Sequence, residues 1–204
     1  MLPCMEPAFS SDDALLRLKQ LQPHQQVAVG TACCERMLPA YVKFIDEENW
    51  GSIEPLRESL DIAWAMVEGT DSEDDLQRLL RRCEGCTPES EDHSSLYTSA
   101  AQDAVFAVCA LVEYMQDRQA NRIVDTLRFG TDSIDLIVQE KEAMDPRDPE
   151  REHKILKHVL MQQELKRQRR DFTDAAKILA GDRIFVRNLR ERATRESALE
   201  LTSG

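Results

Sequence analysis

One stretch, residues 95–115 (SLYTSAAQDAVFAVCALVEYM), limits what this chain can fold into more than any other. Its apolar residues, from Ala100 and Ala101 through Val112, point in every direction around a helix and leave almost no polar face. A helix apolar all round is buried centrally or lies in lipid. Asp103 and Glu113 close the unbroken run from Ala104 to Val112, far short of the roughly twenty residues a bilayer span needs. The stretch is therefore read as the core of a helical assembly. The predicted architecture is all-α: a multi-helix bundle of about eight helices around a central buried helix at 95–115. Its alanines and serines admit close neighbours, and Phe106, Leu111 and Met115 supply bulk.

The rest of the chain agrees with that class. Glycine and proline are sparse (7 and 8 of 204 residues) and aromatics make up only 5%, while Ala, Leu, Glu, Gln and Arg dominate, which favours helices over a sheet. No window alternates apolar and polar residues as a strand would. No linker divides the sequence, so one helical domain is expected over residues 1–204, with flexible tails at 1–10 and 196–204. The net charge of −12 argues against a nucleic-acid-coating protein. It is unevenly placed: residues 1–150 carry −17 and residues 151–204 carry +5. The basic part can pack on the acidic body, face an anionic partner, or form an ordinary solvated helix surface, the last being the commonest use of long charged side chains. A homodimer, in which the basic C-terminal helix meets an acidic surface, or another protein partner is expected; nucleic acid and membrane are not. The N-terminus MLPCMEPAF lacks a basic region followed by an apolar one, so no secretory signal is expected. The cytoplasm is the expected location, with the six cysteines as reduced thiols.

Periodicity and capping signals divide the chain further. Ser10 or Ser11 caps a first helix; Pro23 begins a second that Pro39 ends or kinks, with a continuation to about Gly51. Ser52 caps a third helix, with Trp64 at the boundary of its buried face, and Ser72 opens a short fourth. Residues 85–93 form the longest loop. After the central helix, another runs from about Asn121 and is bent at Gly130. Asp148 and Pro149 start the longest helix, whose apolar stripe from Ile155 to Leu179 is sparse between Gln162 and Asp171. A last helix carries Ile184, Phe185, Val186 and Leu189.

Candidate chemistry is thin. Cys83-Glu84-Gly85-Cys86 has redox or zinc spacing, but it sits at a helix end among acidic neighbours, and only His93 is a further nearby ligand type. Cys33 and Cys34 are adjacent in a helix, so they diverge by about 100° and read as one buried and one exposed residue. Glu150-x-x-His153 has di-iron spacing without the second copy such a site needs. No phosphate loop, serine elbow, zinc helix motif or dinucleotide fingerprint is present. No catalytic residue, metal or cofactor is assigned. Polar residues on faces that should be buried are more informative: Glu35, Asp103, His158 and Glu164 are the candidate lining of a polar pocket, with Gln168 and Asp171 nearby. Buried carboxylates need partners, and Arg36, Arg128 and Arg169 are available. His158 taken alone reads as a core histidine.

Four segments together resemble the bacterial YjaG-like family, a domain of unknown function: residues 33–41 (CCERMLPAY), 60–64 (LDIAW), 97–104 (YTSAAQDA) and 158–168. The resemblance spans about residues 12–180 in the same order. It implies an all-helical cytoplasmic domain and no particular activity, and it does not extend to Cys83, Cys86 or the tail after Gly181. The functional expectation is a non-catalytic interaction or regulatory module. The alternative is an enzyme or small-ligand binder with a carboxylate-lined pocket, and an acidic mimic of nucleic acid using residues 71–75 and 89–92 ranks last.

Overall fold

Helix formers make helices throughout the computed structural model, which describes residues 10–70, 75–179 and 181–196. Among these residues there are nine helices and no strand: α1 Ser11–Leu18, α2 Pro23–Glu48, α3 Glu54–Val67, α4 Leu76–Glu84, α5 Thr98–Asp117, α6 Ala120–Lys141, α7 Arg151–Lys157, α8 Val159–Ala175 and α9 Arg183–Arg195. The fold class is all-α. Most of both expected tails, and Ser72 as a helix opener, lie outside the described residues. Asp75 caps α4 in its place, its side chain accepting the Arg78 N–H at 2.9 Å.

α5 is buried along most of its circumference, as its composition predicts. It begins at Thr98, and one stripe, Gln102, Phe106, Cys109 and Glu113, reaches toward solvent. Phe106 is therefore not a core residue: it is 40% exposed and leans on Phe129 of α6, ring centroids 5.5 Å apart. α5 shares the centre with α2, in which every residue from 26 to 38 is buried. α2 touches α3, α5, α6, α8 and α9. That enclosure corrects the reading of the adjacent cysteines, since Cys33 and Cys34 are both buried. Pro39 neither ends α2 nor divides it; the hydrogen bond its ring forfeits is outweighed by burial of Met37, Leu38, Ala40 and Tyr41 on either side. α6 likewise runs through Gly130 as one helix.

A two-residue turn, with Arg118 in the left-handed region at φ 57°, folds α6 back along α5. The contacts keep an antiparallel register: Arg122 to Glu113 at 2.9 Å, the Thr126 hydroxyl to the Ala107 carbonyl at 3.3 Å, Phe129 to Phe106. α3 and α9 also run antiparallel, tied by Arg190 to Asp61 and Arg183 to Glu68. The expected longest helix is two. The chain breaks at His158 (φ −63°, ψ 142°), whose Nδ1 accepts the Leu160 N–H at 3.3 Å as the cap of α8.

The apolar interior falls into two clusters. The larger unites α2, α3, α4 and α5 with parts of α1, α6, α8 and α9. The smaller joins Ile134 and Val138 of α6, Ile155 of α7, and Leu160, Met161 and Leu165 of α8.

α6 approaches α2 so closely that a methyl group at Gly130 would stand 2.7 Å from the Cys33 sulfur. Helix propensity alone favours alanine over glycine by about 1 kcal/mol, whereas overpacking a filled core costs about 1–3 kcal/mol. Gly130→Ala is expected to destabilise the protein by about 1–2 kcal/mol in urea unfolding. In a Cys33→Ala background, the same change should become neutral or stabilising.

Candidate functional site

Two charged neighbours, Glu35 and Arg36, lie in the enclosed middle of α2 and point about 100° apart around its axis. Arg36 faces α8. Its Nε and one terminal nitrogen donate to Glu164 at 3.3 and 3.0 Å, and its other terminal nitrogen donates to Asp171 at 2.6 Å and to the Ala32 carbonyl at 3.0 Å. Asp171 receives a second guanidinium, that of Arg192 from α9, at 2.8 Å, and Arg192 also binds Asp174. Gln168 donates to Glu164 at 3.1 Å and to the Leu127 carbonyl of α6 at 3.0 Å. Glu164, Gln168 and Asp171 follow one face of α8 at helical spacing, which explains the gap in its apolar stripe: that face is buried against an arginine.

Glu35 faces the other way, toward α3 and α9. Its two oxygens accept the Trp64 indole N–H at 2.9 Å and the Arg57 guanidinium at 2.8 Å, with Arg190 3.8 Å away. Trp64 is fully enclosed, not at a boundary. The side chains of Arg36, Glu164 and Asp171 are each at most 4% exposed. Burial works against charge on Arg36, but Asp171 and Glu164 overturn it and hold the guanidinium protonated well above its usual range. Burial raises Asp171 above the usual carboxylate range, with Arg36 and Arg192 pulling the other way. Arg36, Arg192, Glu164 and Asp171 balance one another in charge, and Arg192 reaches Asp174 as well. A pair of this kind, with bidentate geometry and filled lone pairs, is tolerated inside a protein where a lone charge is not.

The four sequence candidates therefore do not form one pocket. Glu35 and Glu164 lie on different sides of α2 with separate partners. His158 is the α8 cap, with its Nε2 3.5 Å from Glu142, the C-cap of α6; it is not a core histidine, because its ring satisfies a helix terminus near the surface. Asp103 faces α6, where burial first and the nearby Asp132 second push its carboxyl up to about 7, against a hydrogen bond from Ser133. Its Oδ2 has no hydrogen-bond partner among the described residues. Arg36 was a legible partner; Arg57, Trp64, Arg190 and Arg192 were not singled out.

Five of the six cysteines lie among the described residues, all unpaired thiols packed between helices. Cys83 is buried against Ser59, whose oxygen lies 3.2 Å from its sulfur, and burial pushes its thiol up to about 11. Burial also raises Cys33, Cys34, Cys86 and Cys109, so none is a thiolate nucleophile near neutrality. The Tyr41 hydroxyl binds the Cys86 carbonyl at 2.9 Å. The following loop is fastened to the end of α2, where Glu48 accepts the Ser94 and Ser95 amides at 3.0 and 2.6 Å. His93 packs between Phe44 and Trp50, with ring centroids at 5.0 and 5.1 Å. Glu150 and His153 are both exposed. Among the described residues no group of three His, Cys, Asp or Glu side chains is placed to hold a metal, and no helix is long and apolar enough to cross a membrane.

A cleft of about 310 Å³ opens where the two apolar clusters meet, between α1, α6, α7 and α8. Leu127, Ile155, Met161 and Leu165 line it, with Asp132 and Asp135 among its polar groups.

The sequence model of a family described as proteins of unknown function (DUF416) matches residues 13–199. This chain belongs to the DUF416 family. A crystal structure of a DUF416 family protein from Shewanella baltica OS155 superposes with a TM-score of 0.81 over 91% of this chain and 96% of that one, at 24% sequence identity. The helical architecture is thus that of the DUF416 fold. The uncharacterized protein YjaG of Salmonella typhimurium is 29% identical over 110 residues, 54% of this chain and 55% of that protein. YjaG of Escherichia coli K12 is 30% identical over 97 residues, 48% of this chain and 50% of that protein. The matched segment thus spans about half the length of these relatives.

The raised Asp103 carboxyl has a consequence for stability. A folded-state value near 7, above the unfolded value of about 3.9, means the folded state binds the extra proton between those limits. Its contribution to stability therefore falls as pH rises from about 4 to about 7. Asp103→Asn is expected to raise the melting temperature at pH 8, and the gap from wild type should shrink steadily on acidification and close near pH 4.

Proposed function

We propose that this protein acts by binding through its surface, as a non-catalytic protein-interaction or regulatory module. One observation supports the reading above the rest: the deeply buried carboxylates Glu35, Glu164 and Asp171 are each held by an arginine from another helix. Groups so engaged tie the helices together, and a substrate would have to displace an arginine to reach them. The knot at Arg36 is then replaceable by apolar side chains of similar volume, a change that is often neutral for buried ion pairs. Arg36→Met alone leaves two carboxylates buried without that partner and should cost about 3–5 kcal/mol in chemical denaturation. The triple replacement Arg36→Met, Glu164→Leu, Asp171→Leu should regain most of that stability and restore the competitive fitness of a strain lacking the chromosomal copy. A triple variant that folds but fails to restore fitness would overturn the reading.

The cleft favours a second reading, small-ligand binding, with Asp132 and Asp135 as its carboxylates in place of Glu35 and Glu164. Its volume is at the lower end for ligand sites. This reading predicts that fragments found by ligand-observed NMR lose binding when Leu156, in the cleft wall, is changed to Trp; hits that bind the variant equally well would exclude it.

A further inference from the structure

The outward faces of α3 and α9 carry opposite charge side by side. On α3, Glu54, Glu58 and Asp61 recur at helical spacing, and the row continues through Ala65 to Glu68 at the C-cap. On α9, Arg183, Arg187 and Arg190 do the same, followed by Glu191, and Arg195 shares a hollow with Arg187 and Arg190. The seam between the two helices is neutralised within the chain by Arg190 with Asp61 and Arg183 with Glu68. Outside the seam the charges are less fully neutralised by neighbours within the chain. The Glu58 side chain is 46% exposed and, among the described residues, pairs with the similarly exposed Arg82 of α4. The Arg187 and Arg195 guanidinia have no carboxylate partner among the described residues. Shallow hollows lie over both edges, one lined by Glu54, Glu58 and Asp61 with Arg57, the other by Arg187, Arg190 and Arg195 with Glu191, so each keeps an excess of one sign.

We propose that this α3/α9 face is a two-fold interface that docks a second copy of this chain, each α9 lying against the carboxylate edge of its partner's α3. The proposal rests on the interaction-module reading and names its partner. A uniformly anionic partner, nucleic acid or an acidic lipid surface, would meet the α3 carboxylates as well as the arginines, and a cationic one would meet the guanidinia. Only a partner with an acidic edge beside a basic edge matches both, and this face is itself such a surface. A two-fold axis along the seam places α3 against α9 twice, the self-complementarity an isologous contact requires. Ile62, Ala65 and the 72% exposed Ile184 add apolar area. Helices of 14 and 13 residues are each about 20 Å long, so the face is at the low end for a specific interface, and the dimer is a weak one sensitive to salt.

Sedimentation velocity on the full chain tests this, with far-UV circular dichroism confirming the fold of each variant. Wild type should dimerise in the micromolar range at ~50 mM salt and weaken about tenfold or more at ~500 mM, as charge-steered contacts do. Glu54→Lys with Glu58→Lys, or Arg187→Glu with Arg195→Glu, should each weaken self-association about tenfold or more, because like charges then face each other. An equal mixture of the two should recover a heterodimer, since every contact across the interface is again between opposite charges. The neutral changes Glu58→Gln and Arg187→Gln serve if a reversal impairs folding, each giving a partial weakening. A wild type monomeric to ~100 μM at ~50 mM salt, a dimer indifferent to these variants, or a mixture that stays monomeric would overturn the proposal. If the proposal fails while the triple interior variant still restores fitness, the interaction-module reading stands with a different partner.

Discussion

The guanidinium of Arg36 sets the terms for the helices around it. It sits in a helix enclosed by five others, where an uncompensated charge would cost several kcal/mol, so the chain must bring carboxylates to it from far along the sequence. α8 supplies both, and Asp171 in turn requires Arg192 of α9. Glu35, one residue earlier and about 100° around the axis, imposes the same demand in another direction and is met by Arg57, Trp64 and Arg190. One turn of α2 thereby selects the neighbours on two of its sides. Apolar packing gives no such selection, because any greasy helix of suitable size can fill a groove, whereas a buried arginine accepts only a few arrangements of oxygen atoms.

Close approach is the second condition. Gly30 and Gly130 stand where Cβ atoms would strike Ile123 and Cys33, at 2.8 and 2.7 Å respectively. The small side chains of α5 play a similar part, with Ala101, Ala104 and Ala107 fully enclosed. Helices brought this near keep the Arg36 knot out of water, so backbone proximity and ion pairing support each other.

The fold was legible where a single physical signal ran without interruption. The all-α class and the buried α5 follow from composition and from an apolar run with no polar face. The equal burial of α2 was hidden by Gln26 and Thr31, whose polarity reads as exposure until partners are placed, and by Glu35 and Arg36, which were expected to be buried only on one polar face. Phe106 was misread because an apolar residue at the one open stripe of a helix has the same local pattern as one facing inward. The break at His158 was hidden for another reason, since a histidine cap lacks the sequence signature of serine or aspartate. At the site, the expectation that buried carboxylates have partners holds for Glu35, Glu164 and Asp171 and fails for Asp103, whose Oδ2 has none among the described residues; Arg36 was among the partners considered. That Glu35 and Glu164 would diverge, and that α9 would pair with both neighbourhoods, depends on tertiary contacts between separate helices, from Asp171 with Arg192, 21 residues apart, to Arg36 with Glu164, 128 apart.

The division of the apolar interior into two clusters bears on how the molecule moves. α7 and the opening turns of α8 are held by the smaller cluster, beyond the knot at Arg36, while the rest of α8 joins the larger one through Phe172 and Ala175. Sub-global opening follows such seams of low contact density. Amide hydrogens of α7 would thus exchange through an excursion that leaves the main body closed, with the arginine as the latch where the loosening stops. Because Ile155, Met161 and Leu165 of that cluster also line the cleft, such an excursion would widen it without disturbing the larger core.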